Sequence, residues 1–355
     1  MITINYQTIK REDPVKLPEN LLFGRMFTDH MFDITYENGK GWINPEIKKN
    51  EEMSISPAAM VFHYGQAIFE GLKAYLWDDG RIALFRADQN IERFNKSAKR
   101  LCMPEIDPEL MLEAIKAVVK TDKDWIPKKP GYSLYIRPFM VATDPYIGVR
   151  PSELYKMMII LSPVGPYYSQ GFKPVPILVT EKFARAVKKG IGECKAAANY
   201  AASLMGQVEA YKEGYTQVLW LDAIEQKYIE EVGTMNIFIQ FKDEVATPRL
   251  SGTILPGVTR SSVIRILKDW GYNVTERDIS IVEIIERYKK GEVVEIFGTG
   301  TAAVISSVSR LKYTDFEMKF NDEEAGELGT KLYNEISGIQ NGKIEDRYGW
   351  ITFID

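Results

Sequence analysis

Lys195 stands in the segment GECKAAANYAASL, among small and apolar residues. A free lysine amine, with a pKa of about 10.4, is almost wholly protonated at neutral pH. Burial in a weakly polar setting lowers that value and frees the amine to attack a carbonyl carbon. Gly190, Gly192 and the run Ala196–Ala198 would let a flat ring approach the backbone closely. Most lysines are solvated surface charges, and that is the reading for Lys188 and Lys189 nearby.

Three more segments carry compatible chemistry. Glu231 in IEEVGTMNIF lies just ahead of an apolar run. A carboxylate facing a pyridine nitrogen keeps it protonated and makes the ring an electron sink. A solvated strand-end charge is the plain alternative, and alternation assigns that place to Glu230. In ILPGVTRSSVIRIL a Pro-Gly turn feeds a helix that begins with Val258 and Thr259. Amides at a helix start attract phosphate, although an ordinary turn with a threonine cap reads the same way. GTGTAAV (298–304) fits the relaxed dinucleotide fingerprint G-x-G-x-x-A. That fingerprint must open a helix, whereas the run Ala303-Val304-Ile305-Ser306-Ser307-Val308 favours a strand. A backbone-rich anion loop with Thr299 and Thr301 remains. Each signal is weak alone. Together they supply an amine nucleophile, a ring-nitrogen partner, a phosphate cup and a second anion loop, the parts of a pyridoxal 5'-phosphate (PLP) site.

A mixed α and β chain must position these groups. Asp88 is expected to N-cap a helix to about Leu101, with Ile91, Phe94, Ala98 and Leu101 on one face. Asp107-Pro108 starts a second helix, with Leu112, Ile115 and Val119 inward and a stop before Pro127. SLYIRPFMVA (133–142) and YKMMIILSPV (155–164) read as buried strands. The Gly-, Pro- and aromatic-rich segment 165–176 is the expected interdomain connection, dividing a domain over 1–164 from one over 177–355. Beyond it come strand PILVT, a helix from Asn199 to about Lys212, strands QVLWLDA and YIEEVGTMNIFIQF, and a helix near Thr259. Strand NVTERDI, helix IVEIIERYKK and two strands around the Gly-rich turn follow. A final helix carries Leu328, Leu332, Ile336 and Ile339 on one face.

Composition narrows the function classes. The 355 residues are 45% hydrophobic and 26% charged, ordinary for a soluble globular chain of about two domains. A net charge of −4 gives no global field for nucleic acid or anionic membrane. Two cysteines, Cys102 and Cys194, make no disulfide framework and fit a reducing cytosol. The N-terminal stretch has neither a signal-peptide nor a transit-peptide pattern, and no apolar run is long enough to span a bilayer. With only His30 and His63, a histidine-based zinc site or Ser-His-Asp triad is not expected, and each reads as packed or surface histidine.

YGQAIFEGLKAY, SLYIRP, SPVGPYY, KAAANY, EVGTMNIF, ILPGVTR and EIFGTGTAA, in this order, resemble the branched-chain amino acid aminotransferases, a PLP fold type IV family. The likeness runs from FTDHMF (27–32) to the terminal helix. It implies a smaller N-terminal α/β domain and a larger C-terminal pseudo-barrel domain. It implies that Lys195 holds PLP as a Schiff base, that Tyr200 lies by the ring oxygen and that Glu231 faces the pyridine nitrogen. Arg93, rather than Arg86, should bind the phosphate with the amides of Val258 and Thr259 and with Thr299. Arg185 should lie in the cofactor site. Thr301 and Ala302 should hold the substrate carboxylate, and Tyr135 and Arg137 should shape the dicarboxylate end. Phe27, Tyr64, Phe69, Tyr135 and Thr234 should line the side-chain pocket, with Ile147 and Val149 reaching in from the partner of a homodimer. The implied reaction moves an amino group between leucine, isoleucine or valine and 2-oxoglutarate, in the cytoplasm, without nucleic acid or membrane. Mammalian members carry a C-x-x-C pair where this chain has Ala303 and Ser306, so redox control there is not expected. Rival readings are a D-amino acid transaminase or an aminochorismate lyase of the same fold, an NAD(P) oxidoreductase using GTGTAAV, and a non-catalytic binding protein.

Overall fold

A computed structural model describes residues 3–166, 173–320 and 324–355. They form two compact units. The first takes the described part of 1–167 with Cys194–Ala197 and Gly338–Asp355; the second takes the described part of 168–193 with Ala198–Ser337. A contiguous division at 177 therefore differs from the observed one, because the chain end returns to the first unit. There the strand Ile351–Ile354 pairs antiparallel with Ile82–Phe85. Residues 167–172 of the expected connection lie outside the described residues.

The first unit is built on a nine-stranded sheet. Its order is Asn5–Tyr6, Gly41–Lys49, His30–Glu37, Leu154–Val164, Ser133–Ala142, Leu72–Leu76, Ile82–Phe85 and Ile351–Ile354, with Ala67–Phe69 also on Ser133–Ala142. The helices Ala87–Arg100 and Pro108–Thr121 bury Ile91, Phe94, Ala98, Ile115, Val118 and Val119 in one cluster with Phe32, Ile34, Leu84 and Ile136 of the sheet. Each such fully buried large side chain stabilises by about 1.5–3 kcal/mol. Asp107 caps the second helix by accepting from Leu110 N at 2.9 Å, while Leu112 is only partly buried. Asp88 is not the cap of the first helix. The chain enters through Arg86 in a left-handed conformation (φ 52°), which starts the helix at Ala87 and places Asp88 in its first turn. Its inner face also carries Asn90, Arg93 and Ser97, all buried.

In the second unit, Ile229–Val232, Gln217–Leu221, Val175–Thr180, Val304–Tyr313, Val293–Gly300 and Met235–Phe241 follow one another across the sheet. The last of these pairs back onto the first, Glu231 opposite Asn236. Six strands thus close a ring, the pseudo-barrel, and closure removes their edges. Leu219, Val232, Ile237, Ile239, Ile296 and Val308 belong to its core. Val175–Thr180 pairs parallel with Gln217–Leu221, and the helix Ala197–Lys212 lies between them in sequence, as a parallel crossover requires. Gly206 on that helix faces buried Trp220, whose ring would lie 2.6 Å from any Cβ there. The helices Val258–Asp269, Ile281–Lys289 and Glu327–Gln340 complete the elements expected from the sequence. Among the described residues no helix is long and apolar enough to cross a membrane.

Candidate active site

In the first unit Lys195 is half-buried between buried Cys194 and Ala196. Two elements hold its backbone. Its N–H donates to Ser97 Oγ at 2.9 Å, and its carbonyl accepts from Phe69 N at 3.0 Å. Its Nζ lies 4.6 Å from the centre of the Phe69 ring, and the Arg137 guanidinium carbon lies 4.7 Å from the same ring. Arg137 Nη2 donates to Tyr135 Oη at 2.9 Å, and Arg137 Nε is buried without a hydrogen-bond partner among the described residues. Tyr135 stacks edge-on against Phe23. Lys195, Phe69, Tyr135 and Arg137 thus lie in one cluster.

Arg93 does not stand alone. Its Nε and Nη2 grip Glu70 Oε1 and Oε2 at 2.7 and 2.9 Å. Asn90 Nδ2 and Gly71 N also donate to Glu70 Oε2, at 2.8 and 3.0 Å. Glu70 has no solvent exposure. Burial alone would raise its carboxyl pKa, but Arg93, with Lys195 and Asn90, outweighs burial and holds it below the ordinary value. Arg86 is placed differently: it stacks over Trp350 and starts the helix. Burial drives one lysine in this unit down to about 8, and it is Lys73, whose strand position pairs with Tyr135.

In the second unit Glu231 is buried, and Arg185 Nη2 meets its Oε2 at 2.5 Å. Asn236 Nδ2 donates to Glu231 Oε1 at 3.1 Å and to Leu255 O at 2.9 Å. A Cβ at Gly257 would collide with Asn236 Oδ1, so glycine at the helix entry lets this brace form. Glu230, expected in solvent, is buried instead and accepts from Thr253 Oγ1 at 2.5 Å. All four residues of its strand Ile229–Val232 are buried, so alternation exposes no face there. Burial pushes its carboxyl pKa up. Gly190 and Gly192 likewise serve their own chain, since a Cβ would meet the Val187 carbonyl at the first and the Thr253 carbonyl at the second. The expected opening for a flat ring is not found there.

The helix Val258–Asp269 begins after Gly257, which gives it no side-chain cap, and Val258 and Thr259 are both buried in its first turn. Thr299 is buried in the strand Val293–Gly300, and its Oγ1 has no hydrogen-bond partner among the described residues. Thr301 and Ala302 form the half-buried turn to Val304–Tyr313, where Gly300 pairs antiparallel with Val304. GTGTAAV therefore joins two strands and opens no helix, which excludes a dinucleotide turn.

Residues 67–311 match the amino-transferase class IV family. Over 99% of its length the chain is 53% identical to branched-chain-amino-acid aminotransferase 2 of Bacillus subtilis (strain 168), covering 96% of that protein. The chain belongs to the class IV aminotransferases, in their branched-chain group. The T.th. branched-chain aminotransferase, solved with pyridoxamine 5'-phosphate, is 28% identical with a TM-score of 0.74, over 91% of this chain and 98% of that one. The Escherichia coli branched-chain aminotransferase shares the fold at a TM-score of 0.77 and 24% identity, over 92% of this chain and all of that one.

The other expected pocket residues of this aminotransferase lie in several places. Phe27, Tyr64, Ile147 and Val149 are exposed in the first unit, and Tyr64 Oη donates to the Ile147 carbonyl. Thr234 is exposed at the tip of the hairpin Ile229–Phe241, and Tyr200 is half-buried on its helix. Sequence reasoning missed Glu70, Asn90, Ser97 and Asn236. One usable signal was Asn236, an amide in the largely apolar run MNIFIQF, because a buried amide needs partners.

Proposed function

We propose that this chain is a PLP-dependent branched-chain amino acid transaminase that passes the amino group of L-leucine, L-isoleucine or L-valine to 2-oxoglutarate. The near-full-length identity to a protein of that name carries the reading. The residues fit the cofactor. An orphaned buried hydroxyl on Thr299, the first-turn residues Val258 and Thr259, and Arg93 suit a phosphate. Buried Glu231, already paired with cationic Arg185, is an anion suited to a ring nitrogen. Tyr200 is assigned to the ring oxygen.

PLP supplies an aldehyde that bonds amines covalently and a ring that takes up the electron pair left at Cα. Lys195 Nζ would hold the cofactor through its aldehyde and, when free, would serve as the base and acid that moves the substrate's Cα proton. Thr301 and Ala302 seat the α-carboxylate. Phe27, Tyr64, Phe69, Tyr135 and Thr234 form an apolar wall for branched side chains. Arg137, held by Tyr135, seats the second carboxylate of glutamate.

The protein is a homodimer on this reading. Its helix Ala197–Lys212 leaves Leu204, Met205, Val208 and Tyr211 exposed, a face suited to a second copy, and Ile147 and Val149 project to reach the partner's pocket. Cys102 and Cys194, neither of them in a disulfide, fit the cytoplasm. The assay is glutamate formation from 2-oxoglutarate with each branched-chain amino acid. Turnover of all three supports the reading; D-alanine as the only donor, or lyase activity instead, overturns it.

A further inference from the structure

Glu70 has no role in the reaction just described, yet its surroundings are built around it. The carboxylate is fully buried and spends both oxygens on the Nε–Nη2 edge of Arg93. Such a bidentate grip fixes the plane of a guanidinium, which a single bond does not. The elements that carry the pair are also those that hold Lys195. Phe69, next to Glu70, donates its amide to the Lys195 carbonyl. Ser97, one turn beyond Arg93, accepts from Lys195 N and donates to the Arg93 carbonyl at 3.0 Å. The Glu70–Arg93 pair is therefore the side-chain clamp between the two struts of the Lys195 backbone.

We propose that Glu70 is a positioning residue, which acts through Arg93 to hold its guanidinium in the orientation that receives the cofactor's phosphate. This rests on the reading of Arg93 as a phosphate ligand. Glutamine cannot replace it. Both oxygens accept from Arg93, and Oε2 also accepts from Asn90 and Gly71. An amide keeps one acceptor and turns an NH2 group toward donors. Aspartate keeps the charge but, one methylene shorter, does not reach both nitrogens without a shift.

The test measures the affinity of cofactor-stripped protein for PLP and for pyridoxal, which lacks the phosphate. It compares wild type, Glu70→Gln, Glu70→Asp, Arg93→Gln and the double variant Glu70→Gln/Arg93→Gln. Arg93→Gln should weaken PLP and leave pyridoxal unchanged. Glu70→Gln should weaken PLP by about tenfold, again sparing pyridoxal. The double variant should bind PLP no worse than Arg93→Gln, because a residue acting through Arg93 has no effect once Arg93 is gone. If Arg93→Gln leaves PLP binding intact, the phosphate reading of Arg93 fails. If Arg93→Gln weakens PLP while Glu70→Gln does not, or weakens PLP and pyridoxal alike, or adds in full to Arg93→Gln, the positioning role fails. Should Glu70→Gln not fold, Glu70→Asp carries the comparison. Loss confined to PLP supports the role, and no loss or equal loss for both ligands overturns it.

Discussion

Arg185 Nη2 lies 2.5 Å from Glu231 Oε2, and both side chains are buried. A buried pair of this kind is held by mutual need. Removing one partner leaves the other charged and unpaired, at about 3–5 kcal/mol. Arg185→Ala should therefore lower stability strongly in a denaturant melt. Glu231→Gln also leaves Arg185 without a counter-charge but keeps an amide oxygen to accept from it, so it should lose less stability than Arg185→Ala while kcat falls on the order of 10²-fold. A Glu231→Gln protein with wild-type kcat would remove Glu231 from the ring nitrogen.

Arg137 touches Tyr135 Oη and the Phe69 ring, and its proposed role is to seat an acidic side chain rather than an apolar one. Arg137→Ala should raise the glutamate KM by at least about tenfold and change the leucine KM little. Steady-state kinetics with both donors decide it, and equal effects on the two would end the role.

Glu230 and Arg93 show how far the sequence was legible. The motifs around Lys195, Glu231, Val258 and Gly298 are local runs, and local runs can be read. The buried partners cannot be read so directly, because Glu70 and Arg93 are 23 residues apart and meet only through the packing of a strand on a helix. Glu230 was misplaced because alternation presumes one wet face, whereas all four residues of its strand Ile229–Val232 are buried. Asp88 was misplaced because no propensity announces the left-handed Arg86 that starts the helix two residues early. The return of Ile351–Ile354 to the first sheet is a tertiary choice that periodicity does not encode.

Glu295 supplies a pH dependence outside the site. Burial pushes its carboxyl up to about 7, although Gly329 N donates to Oε1 at 2.6 Å. Between its ordinary range near 4.5 and about 7 the folded chain binds a proton that the unfolded chain has released. The stability this group contributes is thus complete below that window and lost as pH rises through about 7. Glu295→Gln keeps the acceptor without the charge. It should raise Tm at pH 8 by a few degrees and leave it nearly unchanged at about pH 4.5. Thermal melts at the two pH values check this, and an equal shift at both contradicts it.

The exposed face Leu204, Met205, Val208 and Tyr211 predicts the assembly. If the proposed homodimer uses this face, replacing Leu204 and Val208 by glutamate should give monomers in sedimentation analysis, because a buried unpaired charge opposes association. The secondary-structure signal should stay. A variant that remains dimeric would move the interface elsewhere.

The most direct test is the visible spectrum of the PLP-loaded protein, with Lys195→Ala beside it. Wild type should be yellow, bleach on adding L-leucine without an acceptor and recover with 2-oxoglutarate, while Lys195→Ala shows no turnover. A spectrum indifferent to L-leucine, or a Lys195→Ala protein that still cycles, would contradict the account.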